Sequence, residues 1–268
     1  MAASITVKPG ADAQYVLRLA DTCLIWSHRL SEWCGHAPVL EEDIALANHA
    51  LDLLGQARAL LSHAGRLEGQ GRDRQYTEDQ LAYLRDERDF VNVTLAELPN
   101  GTAVGGRGDF AFTVLRNFVL SSWALLIWQH LASSRDAELA AIAGKAVKEA
   151  RYHREHAADW VIRLGDGTED SAQRMQAALE RLWPYTNELF DSDEVDRAAV
   201  ASGLGPDWAS LREPWLADVE AVLAEATLPL PPQSAYRSEA RRGRHSEHMG
   251  RLLAEMQVLQ RSHPGGRW

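Results

Sequence analysis

Apolar residues recur at the spacing of an α-helix along almost the whole chain. Nowhere does an alternating run of β-branched residues lie between turn signals, as it would in a strand. These two observations predict an all-α protein. With 268 residues, of which 46% are hydrophobic, the chain also has enough apolar material for one extended core.

Two stretches are apolar on more than one face, which is typical of helices that other helices surround. They are residues 40–66, rich in leucine, and residues 110–133, which contain FAFTVLRNFVLSSWALLIWQHL. Further helices are predicted over residues 12–34, 77–97 and 137–164. Four long helices, joined by short turns and by one longer crossover that contains an extra helix, predict a ferritin-like bundle.

We predict a single ferritin-like domain over residues 1–268, with the core bundle at about 12–164 and peripheral helices at about 171–261. The glycine-rich stretch 102–108 is predicted to be a surface loop. The peripheral helices are expected to wrap the bundle and to form part of its interface surface. They are predicted over residues 171–190, 194–203, 211–226 and 246–261.

The charge and the cysteines restrict the partners and the compartment. A formal net charge of -10 and a pI near 5.5 predict no general attraction to nucleic acid or to an anionic membrane. Cys23 and Cys34 are predicted to be reduced core thiols, because a bridge between them would need the wrong geometry. The N-terminal sequence has neither a signal peptide pattern nor a membrane span, so a cytoplasmic protein is expected.

Polar side chains fall on one face of two of the predicted helices. Asp52 and Gln56 are four residues apart amid leucines, and Lys145, Glu149 and His153 form a similar row. Buried charges need a partner or a metal ion to offset the cost of desolvation. These residues are therefore candidates either for a metal site or for a polar network that replaces one.

A di-iron bundle takes single carboxylates from two helices and a Glu-x-x-His motif from each of the other two. The chain contains no Glu-x-x-His or Asp-x-x-His. Tyr152 and Gly55 stand at the two histidine positions, and residues 110–133 have only Ser121 and Ser122 near their middle. The sequence therefore predicts a degenerate site with no catalytic residue and no metal ligand, formed by Glu32, Asp52, Gln56, Lys145, Glu149, Tyr152 and His153.

The alternating charges of Lys145, Glu149 and His153 favour a polar network that neutralises itself. If Lys145 and Glu149 are both fully buried, Glu149→Ala is expected to destabilise the protein by roughly 3 to 5 kcal/mol. A metal ion held by these residues and a solvated helix face remain the alternatives.

Two further groups of residues have structural explanations. His245 and His248 lie in HSEH without a third ligand nearby, so they are expected to mark an exposed helix start with Ser246 as its N-cap. Tryptophans within the predicted bundle are expected to pack in the core. Some of the others, Trp183, Trp208, Trp215 and Trp268, are expected at a subunit interface.

Several sequence segments along the chain resemble those of one protein family, the C subunits of the phenylacetyl-CoA epoxidase complex. The C subunits are non-catalytic structural proteins. The segments are LSEWCGHAP at 30–38, DIALANHALDLLGQAR at 43–58, the loop that joins Glu97–Asn100 to Gly108–Ala111, KEARYH at 148–153, LWPYTNELF at 182–190 and HSEHMGRLLAEMQVLQ at 245–260. The resemblance covers nearly the whole chain in order. Residues 102–107 depart from it as an insertion in a surface loop.

The resemblance implies a non-catalytic component of a monooxygenase complex of phenylacetate catabolism. In that complex a related ferritin-like protein, the catalytic subunit, holds the di-iron centre and epoxidises the aromatic ring of phenylacetyl-CoA. NADPH supplies electrons through a reductase that holds flavin and an iron–sulfur centre. The structural subunit binds no cofactor itself, pairs with the catalytic subunit, supports its fold and borders the CoA part of the substrate.

For contact with CoA the resemblance points to the segment 85–92 of the third predicted helix. The residues it implies are Asp89, Phe90, Val91, Asn92 and Arg197. Taken alone, the same positions would be read as an ordinary charged helix face.

Two other functions remain open at this stage. An independent di-metal oxidase would use Glu32, Asp52, Glu149 and His153 with a substituting tyrosine. An iron-free helical protein would bind a small molecule in a pocket lined by tryptophans.

Overall fold

A computed structural model describes residues 3–71, 75–101 and 108–266 of the chain. Within these ranges the ordered elements are helices, and no strand occurs. The all-α prediction is therefore confirmed. The predicted loop insertion at 102–107 and Trp268 lie outside the described residues.

Four long helices form the bundle: α1 (Ala11–Ser31), α2 (Leu40–Gly69), α5 (Phe110–Leu131) and α6 (Ala137–Gly165). Helix α1 packs along α2, α5 packs along α6, and α2 lies against α6. This arrangement agrees with the ferritin-like bundle predicted from the sequence. Helix α1 is shorter than predicted, because the chain turns after Ser31.

Helix α5 lies in the centre of the protein, as its composition predicts. Asp109 caps it by accepting a hydrogen bond from the backbone N–H of Ala111 (2.9 Å). The indole of Trp26 on α1 donates to Asn117 on α5 (2.9 Å), so one polar bond joins the two helices inside the core. By length and composition α5 could cross a membrane, but 83% of its most apolar window is buried in this fold, as in the core helix of a soluble protein.

The prediction of one helix over residues 77–97 is wrong. The chain forms the short helices α3 (Glu78–Tyr83) and α4 (Thr94–Glu97), with a single 3₁₀ turn between them. The backbone N–H groups of Val91 and Val93 bond to the side chains of Asp21 and Thr22 on α1. These N–H groups are satisfied outside a helix, so the segment runs extended across α1.

Six further helices complete the described part of the chain. Helix α7 packs on α5 and α6, α8 on α1, α9 on α5 and α6, and α10 on α3. Gly165 allows the end of α6 to approach Ala226 closely, because a Cβ at this position would collide with the Ala226 carbonyl. Besides α3 and α4, these helices are α7 (Glu169–Leu182), α8 (Glu194–Ser202), α9 (Arg212–Glu225) and α10 (Met249–Ser262).

A buried ionic cluster attaches the C-terminal segment to the bundle. Asp196 on α8 accepts hydrogen bonds from Arg18 on α1 (3.2 Å) and from Arg241 (2.8 Å). The Arg241 guanidinium also lies 4.0 Å from the ring centre of Trp208. The backbone N–H of Arg241 donates to Glu188 (2.9 Å), so the turn that contains Arg241 is fixed on several sides.

Two predictions about buried and exposed side chains need correction. Trp183, Trp208 and Trp215 were expected in part at a subunit interface, yet all three are buried in the core of this chain. Cys23 is a buried free thiol, and burial raises its pKa. Cys34 is free but exposed, because it lies in the turn after α1, so its assignment to the core was wrong.

Candidate functional site: the polar row between two bundle helices

The predicted polar rows of α2 and α6 meet between the two helices. The Gln56 amide donates to Glu149 Oε2 (2.9 Å), and the Cys23 thiol lies 3.5 Å from Gln56 Oε1. Lys145 Nζ is 3.3 Å from Glu149 Oε1. Glu149 therefore accepts a hydrogen bond from an amide and forms an ion pair with an ammonium group.

Farther along the same helix pair, His153 Nε2 lies 3.0 Å from Asp52 Oδ2. The His153 ring stacks on that of His49, with 3.6 Å between the ring centres. Burial lowers the pKa of His153, although its bond to Asp52 opposes the shift. Burial, followed by the neighbouring His153, lowers the pKa of His49 well below the usual value. Both rings are therefore neutral near pH 7, which allows them to stack.

Helix α5 has two buried hydroxyl groups near its middle. Ser121 and Ser122 are buried, and neither hydroxyl has a hydrogen-bond partner among the described atoms. A cavity of about 10 Å³ lies nearby, bordered by Cys23, Gln56 and Trp123 among others. A cavity of this size is at the lower limit of what can hold one water molecule.

These residues do not fit a di-iron centre. Such a centre needs carboxylates and imidazoles that converge on one point, whereas Glu149 is bonded to Gln56 and Lys145. An ammonium group beside the carboxylate would repel a dication. Within residues 3–71, 75–101 and 108–266, no group of three or more His, Cys, Asp or Glu side chains is placed to hold a metal ion.

The structure does not assemble the whole predicted set. The Lys145 side chain is 80% exposed and Glu149 only 16%, so the pair is not the doubly buried one on which the expected 3 to 5 kcal/mol depended. Tyr152 points outward and stacks on His156. Glu32 is paired with Arg29 (2.6 Å) and borders a separate cleft. Asp52, Gln56, Glu149 and His153 form one row, which reaches solvent at Asp52, whose side chain is 40% exposed, and at Lys145.

The interpretation of HSEH as an exposed helix start was wrong. His245 Nδ1 lies 2.7 Å from Glu97 Oε2, and both side chains are fully buried. His245 Nε2 lies 3.0 Å from the carbonyl oxygen of Phe90. Both ring nitrogens therefore face oxygen atoms, an arrangement that favours the protonated ring. Helix α10 begins at Met249 with His248 as its N-cap, and Ser246 instead donates its backbone N–H to Glu97 (2.6 Å).

Burial lowers the pKa of His245, but the hydrogen bond and the charge of Glu97 outweigh it, and the pKa is raised overall. The pairing of His245 with Glu97 spans 148 positions, so no local motif could indicate it. The sequence around His245, RRGRHSEHM, is strongly polar and gave no signal of burial.

The residues implied by resemblance for CoA contact fall in two different settings. Phe90, Val91 and Asn92 are buried, and Asp89 is partly exposed. Arg197 is exposed on α8. Contact of these residues with CoA stays a prediction.

A cleft of about 770 Å³ lies between α10, the end of α7 and the loop around Pro99. Arg29, Arg181 and Arg251 border it together with Glu180 and Glu255. The wall of the cleft thus carries positive and negative side chains and favours neither an anionic nor a cationic ligand. A second cavity of about 250 Å³ is bordered by Trp183 and Trp215.

The fold is a ferritin-like helical bundle in which hydrogen-bonded polar side chains form a row between α2 and α6. The chain belongs to the family described as phenylacetic acid catabolic protein, whose model matches residues 2–268. It is 50% identical over 254 residues to the C subunit of 1,2-phenylacetyl-CoA epoxidase from Escherichia coli (strain K12). That comparison covers 95% of this chain and 98% of the relative, and it confirms the resemblance found in the sequence.

Proposed function

We propose that this chain is the non-catalytic structural subunit of a phenylacetyl-CoA epoxidase, and that it pairs with and stabilises the catalytic subunit that holds the di-iron centre. The observation that supports a non-catalytic role is the environment of Glu149. Its carboxylate oxygens contact the Gln56 amide and the Lys145 ammonium group. The 50% identity to a component of the Escherichia coli epoxidase supports the substrate and the complex.

In this proposal the chain binds no iron, and NADPH, flavin and the iron–sulfur centre belong to other subunits. The row joins the two helices by polar contacts that do not depend on a metal. Asp52 with His153, and Gln56 with Glu149, join α2 to α6 where a metal would otherwise join them. The phenylacetyl-CoA epoxidation itself takes place in the partner.

Co-expression with the catalytic subunit tests the proposal. We expect the two chains to co-purify, iron to be found only when the catalytic subunit is present, and oxygen-dependent epoxidation of phenylacetyl-CoA to require the complex. The matched variant is Glu149→Gln, which removes a carboxylate but keeps the side chain's size. About two irons per purified lone chain, with turnover lost in Glu149→Gln, would overturn the proposal in favour of an independent metalloenzyme.

A further inference from the structure

The outer sides of α2 and α6 form an exposed face that the rest of the described chain does not cover. On α2 three large aliphatic side chains are more than half exposed: Leu40, Ile44 and Leu51. They are spaced four and seven residues apart, which places them in one stripe along the helix. On α6, Tyr152 is 54% exposed. We call this surface the α2–α6 face.

The hydrogen bonds between the two helices show that the stripe and Tyr152 open to the same side. Asp52 and Gln56 of α2 point sideways to His153 and Glu149 of α6. On both helices the position after a bonded residue is buried, as in Leu53 after Asp52 and Ala150 after Glu149, so the position before it faces outward, away from the core. Leu51, one position before Asp52, and Tyr152, one position before His153, lie on that outer side.

The size of the α2–α6 face matches that of a stable protein–protein interface. The helices contain 30 and 29 residues, so each is about 45 Å long. Side by side, at about 10 Å in width each, they present roughly 900 Å². A stable complex buries about 800 Å² on each partner.

The charge pattern indicates the chemistry of the partner. Lys145 and Lys148 are exposed at the end of the face near Gly55, in a protein with a net charge of -10. Glu155 and Asp159 are exposed toward the other end of α6. A matching surface therefore has an apolar centre, carboxylates opposite the lysines and basic groups opposite the acids.

We infer that the α2–α6 face is the docking surface for the catalytic subunit, which would be a helical bundle that presents an apolar helix face bordered by charges of the opposite signs. The inference rests on the proposed function, which supplies the partner. Gly55 and Gly144 are exposed on this face and lack side chains. They allow helices of the partner to approach the backbone closely.

The test compares apolar-to-charged substitutions on two surfaces of the complete chain. Leu51→Glu and Ile44→Glu change the α2–α6 face. Val258→Glu on α10 is the matched control, because Val258 is 59% exposed and Leu51 is 64% exposed. Each variant is co-expressed with a tagged catalytic subunit, and the dissociation constant of the pair is measured. Circular dichroism and the Tm of the lone chain establish that each variant folds.

We expect Leu51→Glu and Ile44→Glu to raise the dissociation constant at least tenfold, with Val258→Glu within about twofold of the wild type. Binding of Leu51→Glu within twofold of the wild type would overturn the assignment of this face while leaving the proposed function intact. So would a lone-chain dimer that Leu51→Glu dissociates without weakening the heteromeric complex. If the wild-type chain itself fails to bind the catalytic subunit, the proposed function fails, and the inference with it.

Discussion

Glu149 bonds to two side chains that differ in burial, and the difference decides what each contact contributes. Lys145 is 80% exposed, and an exposed ion pair stabilises by at most about 1 kcal/mol. The Gln56 amide is buried and loses its acceptor when Glu149 is removed. We therefore expect Glu149→Ala to lower the free energy of unfolding by about 1 to 3 kcal/mol, and Lys145→Ala by less than about 1 kcal/mol.

Urea denaturation of the two variants measures these changes. A loss of more than about 3 kcal/mol in Lys145→Ala would mean that the ion pair is buried in solution. Equal losses in both variants would mean that the bond to Gln56 contributes nothing.

His49 makes stability depend on pH on the acid side. Its ordinary pKa is about 6.5 in the unfolded chain, and burial lowers the pKa in the folded protein. Below about pH 6.5 the unfolded state binds the extra proton, so stability falls as the pH falls, by up to about 1.4 kcal/mol per pH unit. We expect His49→Leu to lose less stability than the wild type between pH 7 and pH 5.

Denaturation curves at several pH values test this expectation. His130 is exposed at the end of α5, so His130→Leu is the control and is expected to keep the wild-type slope. An unchanged slope in His49→Leu would show that His49 titrates in the folded protein as it does in the unfolded chain.

At the scale of elements, the segment from Arg85 to Glu97 joins three parts of the protein. Arg85 is fully buried, is ion-paired with Asp21 of α1, and lies 4.2 Å from the ring centre of Phe90. Glu97, at its end, holds His245 and the backbone of Ser246. The segment thus links the first helix of the bundle to the turn that precedes α10.

The pair of His245 and Glu97 makes the attachment of α10 sensitive to alkaline pH. The pKa of His245 is raised above its ordinary value of about 6.5. Its contribution to stability is therefore complete below about pH 6.5 and is lost as the pH rises through the folded-state pKa. We expect the stability difference between the wild type and His245→Gln to be largest near pH 6 and to shrink toward pH 9.

Hydrogen exchange of the backbone amides in α10 provides the measurement at the same pH values. We expect their protection, corrected for the intrinsic dependence of exchange on pH, to decrease as His245 loses its proton. A stability difference that does not vary between pH 6 and pH 9 would contradict the protonated state assigned to His245.

At the scale of the whole molecule, Asp196 connects the beginning of the chain to its end. It is fully buried between Arg18 of α1 and Arg241, which precedes α10. Asp196→Ala removes the one carboxylate that Arg241 pairs with among the described residues. Because a buried charge is then left without its partner, we expect a loss of about 3 kcal/mol or more.

Urea denaturation together with limited proteolysis checks this prediction. We expect Asp196→Ala to be cleaved faster in the segment after α9. Asp170→Ala is the control, because it breaks the exposed pair with Arg174 and is expected to change nothing measurable. Equal stability of Asp196→Ala and the wild type would show that the ionic cluster does not hold the C-terminal segment.

Some features of the protein follow from local spacing, and the sequence alone was sufficient for them. The helical class and the central position of α5 depend on apolar periodicity. The absence of Glu-x-x-His depends on the positions of Tyr152 and Gly55, three residues after Glu149 and Asp52. Such spacings act within one helix, where sequence distance and spatial distance are coupled.

Other features depend on partners that are remote in the chain, and only the tertiary structure decided them. Asp21 and Thr22 draw the backbone at Val91 and Val93 out of the predicted helix. Glu97 buries His245, whose sequence resembles an exposed helix start. Lys145 belongs to the polar row by its spacing, yet its ammonium group reaches solvent at the edge of the helix pair. The sequence by itself therefore determined the helical class and the absence of Glu-x-x-His, because both are set by near neighbours. The tertiary structure decided which charges are buried, because burial depends on which distant segments cover them.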